Sequence, residues 1–441
     1  MSHTLEIRPF SPGDERFAAI VGRGGEVDAD IGVKVAEIIA AVRKGGGDAL
    51  LELVRRFDAP LPDLDAIRVT RDELDAAEKA VEPEFAEAVE LAMENIRVFH
   101  LHQVRKGYAH DAGDGATLEK RVLPISRVGV YCPAGTAPLF SSMLMNVVPA
   151  RIAGVGEIAV VIPPRRDGSI SPHMLYTAKR LGVDEIYKMG GAQAVAALAY
   201  GAGPVRRVDK IVGPGNAYVA TAKRQVFGVV GIDSVAGPSE IVVIADSEAE
   251  PRFIAADLLS QVEHGSGYES GVVLTDDPVL ASRVVAETER FLESLERADA
   301  IRRALSRYGA VFVCRDLEEA VRAANAIAPE HLEIVTRNPR SLLYGVVNAG
   351  AVFLGPWSTE PVGDYFAGTN HVLPTNGAAR FASSLGVADF LKDISVIEYT
   401  ADRLRKAGRH IVLMAEKEGL TAHAGAVRVR LEALEAEEPR G

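Results

Sequence analysis

Apolar residues recur at helical spacing over most of the first hundred positions. From about Gly32 to Phe57 the spacing is that of a helix, broken by Gly45-Gly46-Gly47. Residues 84–105 predict another, with Phe85, Ala88, Val89 and Ala92 on one stripe. Residues 1–25 show little periodicity and end in Gly22-Arg23-Gly24-Gly25. The pattern changes near Arg127. Strands are predicted at 158–162, 184–189 and 208–212, alternating with helices at about 172–181, 193–200 and 217–226. Strands that are apolar throughout and alternate with helices imply a parallel sheet covered on both faces. The rhythm then restarts, with strands at 240–245 and 271–275 and helices at 251–264 and 278–295. Asp277 is the expected N-cap of the last of these, with Pro278 at its first position. Further strands are predicted at 310–313, 332–335 and 351–354. After about Arg380 the chain reads as helical apart from a strand at 394–399, and this tail suits an arm that packs on a partner.

Composition narrows the picture only in places. A length of 441 residues exceeds one ordinary core and suggests two to three domains. The net charge of −12 argues against nucleic acid or an anionic membrane as partner, and the basic stretch Arg403-Leu404-Arg405-Lys406 reads as a solvated helix face. Two cysteines, Cys132 and Cys314, provide neither a disulfide framework nor a Cys-rich zinc site, so a metal would need His, carboxylate or carboxamide ligands. The N-terminus lacks a signal-peptide pattern, and no apolar run reaches the ~20 residues of a membrane span, so the expected location is the cytoplasm.

Histidines are scarce, ten in all, and several stand beside carboxylates or carboxamides in Gly- and Pro-punctuated stretches, which suits a divalent-metal site with an acid/base pair nearby. Asp257, Gln261 and His264 fall at i, i+4 and i+7 of one predicted helix ended by Gly265. The plain alternative is a His capping that helix. Glu330-His331 precedes a predicted strand, where adjacent side chains diverge, so one could meet substrate while the other handles a water. A polar loop is the alternative. Asp364 and His371 lie in a long Gly-, Pro-, Thr- and Asn-rich segment, and loops of that length are usually functional or disordered. A turn-forming Asp is the rival there. Glu418 and His423 flank an expected turn between two helical stretches, with a surface His as the rival. Gly213-Pro214-Gly215-Asn216 follows a predicted strand and opens a helix, as a nucleotide-contacting turn does, but lacks a third glycine. Gly154-Val155-Gly156-Glu157-Ile158-Ala159 precedes its strand and is discarded. His3, His100, His102, His110, His173 and His410 read as surface or helix-end residues.

Together these segments resemble the histidinol dehydrogenase family over nearly the whole chain. The strongest stretch runs from Gly231-Ile232-Asp233-Ser234-Val235-Ala236-Gly237-Pro238-Ser239-Glu240 to Gln261-Val262-Glu263-His264. Gly190-Gly191-Ala192-Gln193-Ala194, Ala328-Pro329-Glu330-His331-Leu332-Glu333, Gly363-Asp364-Tyr365, Asn370-His371-Val372-Leu373-Pro374-Thr375 and Leu420-Thr421-Ala422-His423 support it. The resemblance implies two NAD-dependent oxidations of L-histidinol to L-histidine through the aldehyde, the last step of histidine biosynthesis. It implies one Zn²⁺ per subunit on Gln261, His264, Asp364 and His423, the last contributed by the partner of a homodimer with shared active sites. A mixed N/O ligand set leaves zinc able to add substrate atoms. By the same resemblance His331 is the general base and Glu330 activates water. Ser239, His371 and Glu418, with Gln261, His264, His331, Asp364 and His423, are the substrate-binding positions. Tyr131, Gln193 and Asn216 are the NAD⁺-contacting ones.

The fold class expected is α/β: two Rossmann-like parallel-sheet α/β domains with a helical N-terminal segment and a C-terminal arm. The expected divisions are 1–25 as a tail and 26–130 plus 240–380 as the domain carrying most metal and reacting residues. Residues 131–239 form the incomplete Rossmann-like NAD-contacting domain, and 381–441 the helical arm reaching the partner. The chain departs from the family at Pro133-Ala134-Gly135, usually P-G-G, and at Cys132, where a β-branched residue is common. Rival readings are a paralogous zinc and NAD dehydrogenase of another small alcohol, such as a sulfopropanediol, a zinc-dependent hydrolase, and a silent metal-binding protein.

Overall fold

A computed structural model describes residues 4–23, 29–134, 137–263 and 267–436. The chain forms two compact units, residues 1–103 with 125–390, and residues 104–124 with 391–441. The larger unit holds two parallel sheets. One has six strands in the order Ile7–Pro9, Ala310–Val313, Ser270–Thr275, Glu240–Ala245, His331–Val335, Ala351–Leu354. The other has five, in the order Glu185–Lys188, Glu157–Ile162, Arg127–Tyr131, Lys210–Val212, Gly231–Ile232.

The continuous apolar runs of the sequence are these central strands. Every residue of Glu240–Ala245 is buried, because helices cover both faces. On one face Phe17, Ile20 and the helix Leu317–Ile327 pack over Val242, Ile244, Leu274 and Phe312. On the other, the helices Pro251–Val262, Pro278–Leu292 and Ala298–Tyr308 pack over Ile241, Val243 and Val273. The five-stranded sheet is covered likewise. Val35, Val42, Leu50 and Val54 join Tyr131, Val161 and Val195 in one core. Val89, Ala92 and Ile96 join Val128, Val160, Met143 and Met174 in another.

These cores correct the expected domain divisions. The helices within 29–101 cover the five-stranded sheet, so 26–130 does not group with 240–380. Residues 7–9 and 15–21 are no loose tail either; they add an edge strand and a helix to the six-stranded sheet. A three-residue strand and a seven-residue helix are too short to register as periodicity. The helix Ala29–Phe57 turns at Gly46, whose φ of 56° marks the break predicted from the glycine triplet.

In the smaller unit the strand Leu391–Tyr399 pairs antiparallel with Ala116–Pro124, which pairs with Tyr108–Asp111. The helices Ala401–Lys417 and Thr421–Ala436 pack on each other. The arm is therefore not the tail alone; it includes the hairpin at 108–124. Arg403, expected on a solvated face, is paired with Asp114 of that hairpin's loop. No helix among the described residues is long and apolar enough to cross a membrane.

Candidate active site at the amino edge of the six-stranded sheet

Ligands of open parallel sheets usually sit beyond the carboxyl ends of the strands. Here the predicted reacting residues lie at the opposite edge. His331 opens the strand His331–Val335, one residue earlier than predicted, and Glu330 directly precedes it. The neighbouring strand opens with Glu240. The helix Pro251–Val262 runs back to the same edge, so Gln261 stands in its last turn among the carbonyls that close it. The carbonyl end of a helix favours a cation. The helix ends at Val262, two residues short of His264. His264 and Gly265 lie outside the described residues, so the proposed i, i+4, i+7 face holds only for Asp257 and Gln261.

The backbone of Glu240 contacts both reacting residues. Its N–H donates to Glu330 Oε2 at 3.1 Å, and its carbonyl lies 3.2 Å from His331 Nδ1. A carbonyl oxygen can only accept, so Nδ1 carries the proton and the neutral ring has its lone pair on Nε2. Nε2 is 3.7 Å from Glu360 Oε1, and Nδ1 is 3.7 Å from Glu330 Oε2.

Glu360 was not singled out in the sequence. It stands with Asp364 at i and i+4 of a six-residue helix, Glu360–Tyr365, where an ordered loop was expected. That spacing was the available signal, masked by Pro361 and Gly363. The helix is anchored from beneath. Thr359 Oγ1 donates to Asp257 Oδ1 at 2.5 Å, and the Glu360 N–H donates to Glu333 Oε1 at 3.0 Å. Asp257 thus braces this helix, which accounts for its placement beside Gln261. His371 Nδ1 donates to the Asp364 carbonyl at 3.0 Å and lies 3.5 Å from Asp364 Oδ1. Ser239 is half-buried immediately before Glu240, and its carbonyl accepts from Ser270 N–H at 3.1 Å.

The local electrostatics suit a cation. Burial holds the Glu330 carboxyl well above the usual carboxylate range; the charges of Glu240, Asp364 and Glu360 push the same way, and the N–H of Glu240 opposes them. Burial, then the Asp364 carboxylate, raises Glu360, while Gln261 hydrogen-bonds to it and lowers it. Burial raises Glu333 and Asp257, which share a hydrogen bond. Glu360 Oε1 is buried without a hydrogen-bond donor among the described residues. Ligand atoms of His331, Glu360 and Asp364 lie within 4.8 Å of one another. Crowded carboxyls pushed toward neutrality, with an imidazole and a carboxamide beside them, match the N/O donor set of a divalent metal. Of the four predicted zinc ligands, Gln261 and Asp364 come together here. His423 belongs to the smaller unit. It is exposed in the first turn of Thr421–Ala436, and Glu418 caps Ala401–Lys417 across a turn at Gly419, as predicted.

The predicted NAD contacts lie on the five-stranded sheet and obey the carboxyl-end rule. Tyr131 ends its strand, and Asn216 follows the adjacent one, on the two sides of the point where strand order reverses. Gln193 is in the first turn of Gly191–Tyr200. Tyr131 and Gln193 are buried. Gly191 N–H donates to the Tyr131 hydroxyl at 3.0 Å, and Gln193 Nε2 donates to Asp58 Oδ2 at 2.9 Å. Asn216 Oδ1 caps its helix by accepting from Tyr218 and Val219 N–H. Gly213, at φ 107°, is required in this turn, since a Cβ there would lie 2.2 Å from the Tyr131 carbonyl oxygen. A buried ion pair missed in the sequence, Lys223–Asp233, holds that glycine. Lys223 Nζ donates to its carbonyl at 2.9 Å, and its N–H donates to Asp233 Oδ2 at 2.7 Å. Cys132 is fully buried, and Gly135 lies outside the described residues. His100 is a helix-end residue, in the last turn of Pro83–Leu101, rather than a surface one. It is fully buried, with Nδ1 2.8 Å from the Ile96 carbonyl.

Residues 22–431 match the family described as histidinol dehydrogenase. The histidinol dehydrogenase of Heliobacterium mobile is 49% identical over 405 residues, covering 92% of this chain and 95% of its own. That of Geobacillus kaustophilus is 51% identical over 398 residues, covering 90% and 93%. The crystal structure of histidinol dehydrogenase from Elizabethkingia anophelis superposes with a TM-score of 0.90 at 37% identity, covering 99% of this chain and 100% of that one. The chain belongs to the histidinol dehydrogenase family.

Proposed function

We propose that Glu330 and His331 carry out two successive NAD-dependent oxidations of L-histidinol, through the aldehyde to L-histidine. The observation that carries the assignment is their shared anchorage on the Glu240 backbone, which fixes the His331 tautomer. His331 Nε2 takes the hydroxyl proton as hydride leaves the adjacent carbon. His331 releases that proton to solvent, Glu330 removes a proton from the water that attacks the aldehyde, and the once more neutral His331 takes the hydroxyl proton of the hydrate in the second oxidation. NAD⁺, when bound, would supply the hydride acceptor for both oxidations. Gln261, His264, Asp364 and a partner's copy of His423 would hold zinc, whose charge would serve to orient the substrate amine and imidazole. Ser239, His371 and Glu418 complete the substrate contacts; Tyr131, Gln193 and Asn216 contact NAD⁺.

A homodimer is part of this reading. The smaller unit exposes Ile394, Ile397, Leu413, Met414 and Val429, a surface suited to burial against a second copy. A cytoplasmic location goes with it, in keeping with two buried free thiols. Relatives near 50% identity are named for histidinol, which disfavours the sulfonated-alcohol and hydrolase alternatives.

Two results test these roles. Glu330 must be ionised to accept a proton. Its raised pKa means that aldehyde oxidation fails as pH falls, at a pH above that of an ordinary Glu. Glu330→Gln should cut aldehyde oxidation by about 10²–10⁴-fold and remove that acid limb, with the alcohol step affected less. An unchanged aldehyde rate would refute the role. Lys223→Met should loosen the Gly213 turn and weaken NAD⁺ binding by calorimetry about tenfold, or about 1.4 kcal/mol, with zinc content unchanged. An unaltered affinity would detach this turn from the cofactor.

A further inference from the structure

The side chains of Arg23 and Glu240 have no role in the reaction as described, yet both are only 2% exposed and Arg23 Nη2 meets Glu240 Oε2 at 2.5 Å. Arg23 follows the helix Glu15–Val21, far from Glu240 in sequence, and its guanidinium lies over the Tyr308 ring at 5.8 Å. Among the described residues its Nε and Nη1 have no hydrogen-bond acceptor, so Glu240 is its principal polar partner. The other Glu240 oxygen, Oε1, accepts from Asn376 N–H at 2.5 Å, and the carboxylate also accepts from the Gly377 N–H.

A buried ion pair is a poor source of stability, because desolvating both charges offsets their attraction. Its value here is geometric. The strand begins at Glu240, and the preceding Gly237 is held by a side chain, Thr375 Oγ1, at 2.6 Å rather than by a sheet partner. The adjacent Ser239 carbonyl accepts from Ser270 N–H, and the grip on the Glu240 side chain is the further anchor at this edge. The Glu240 backbone supplies both the N–H bonded to Glu330 and the carbonyl bonded to His331 Nδ1.

We propose that the Arg23–Glu240 pair is a positioning device for both reacting residues. Arg23 and the 376–377 turn clamp the Glu240 side chain, and the Glu240 main chain aims the water-activating carboxylate and the base together. Among the described residues the pair contacts no predicted zinc ligand, so its loss falls on turnover rather than on metal binding. A displacement of about 1 Å at reacting groups costs up to about 100-fold in rate. The inference rests on the assignment of Glu330 and His331 made above.

The test uses the full-length enzyme and four variants: Glu240→Gln, Arg23→Met, Arg23→Lys and, as reference, His331→Asn. Glu240→Gln keeps the main-chain bonds and removes the charge that Arg23 grips, together with one of the two oxygens that accept from Arg23 and the Asn376 N–H. It should lower kcat about 10- to 100-fold, while KM for histidinol, NAD⁺ affinity and zinc content stay within about twofold. Arg23→Met should match it, and Arg23→Lys should recover most of the loss. If Arg23→Met does not fold, the Gln and Lys variants decide the matter. Wild-type kcat in folded Glu240→Gln would overturn the proposal, as would kcat, KM and zinc content failing together. Full turnover in His331→Asn would instead overturn the base assignment on which the proposal rests.

Discussion

His331→Asn should lose about 10²–10⁴-fold or more in turnover, the range expected for a general base, while keeping its zinc. The substitution is chosen for what it preserves. The Asn amide can still donate to the Glu240 carbonyl, as Nδ1 does at 3.2 Å, so the opening of the strand is undisturbed. What disappears is the Nε2 lone pair. The loss should appear in both half-reactions, because the same atom removes the hydroxyl proton from the alcohol and from the aldehyde hydrate. Single-turnover measurements with each substrate, alongside metal analysis, would show it. Near-normal rates with either substrate would overturn the assignment.

Gln261→Ala and His423→Leu should each lower zinc content and activity together. Losing even an outer partner of a metal ligand costs about 10–100-fold in affinity, and a direct ligand should cost at least that. The two variants differ in one instructive way. Gln261 hydrogen-bonds to Glu360, whose carboxyl burial and the Asp364 charge hold well above the usual carboxylate range, so its loss removes a dipole that eases that crowding. His423 belongs to the exposed smaller unit, so His423→Leu should leave the fold intact and act only on the metal. Mixing His423→Leu subunits with His331→Asn subunits should restore some activity if sites are shared across a dimer, because a heterodimer would hold one intact set. Stoichiometric zinc in both single variants would contradict the ligand set.

Central strands and long helices were legible in the sequence because burial on both faces leaves unbroken apolar runs. Glu240–Ala245 and Ala310–Val313 begin and end where predicted, as do the half-buried edge strand Ala351–Leu354 and the helix Ala217–Val226. Ends and short pieces were not. The edge strand Ile7–Pro9 is half polar, and Glu360–Tyr365 contains both Pro and Gly. The packing partner of the helices at 29–101 was illegible for a different reason: an apolar stripe records that a helix is buried, not against which sheet. Of the residues gathered at the amino edge, Glu330, His331, Gln261 and Asp364 were singled out in the sequence through motifs. Glu360, Glu240, Arg23 and Lys223 were missed, since each acts through a partner distant in sequence. Asp257 was noticed for its spacing, and the fold gives it a bracing role through Thr359 and Glu333.

The most direct test is the NADH formed per L-histidinol consumed, measured with zinc present, after chelation and after zinc is restored. The account predicts two NADH per substrate, lost with the metal and recovered with it. One NADH per substrate with aldehyde left over, or two NADH undiminished after complete zinc removal, would contradict it.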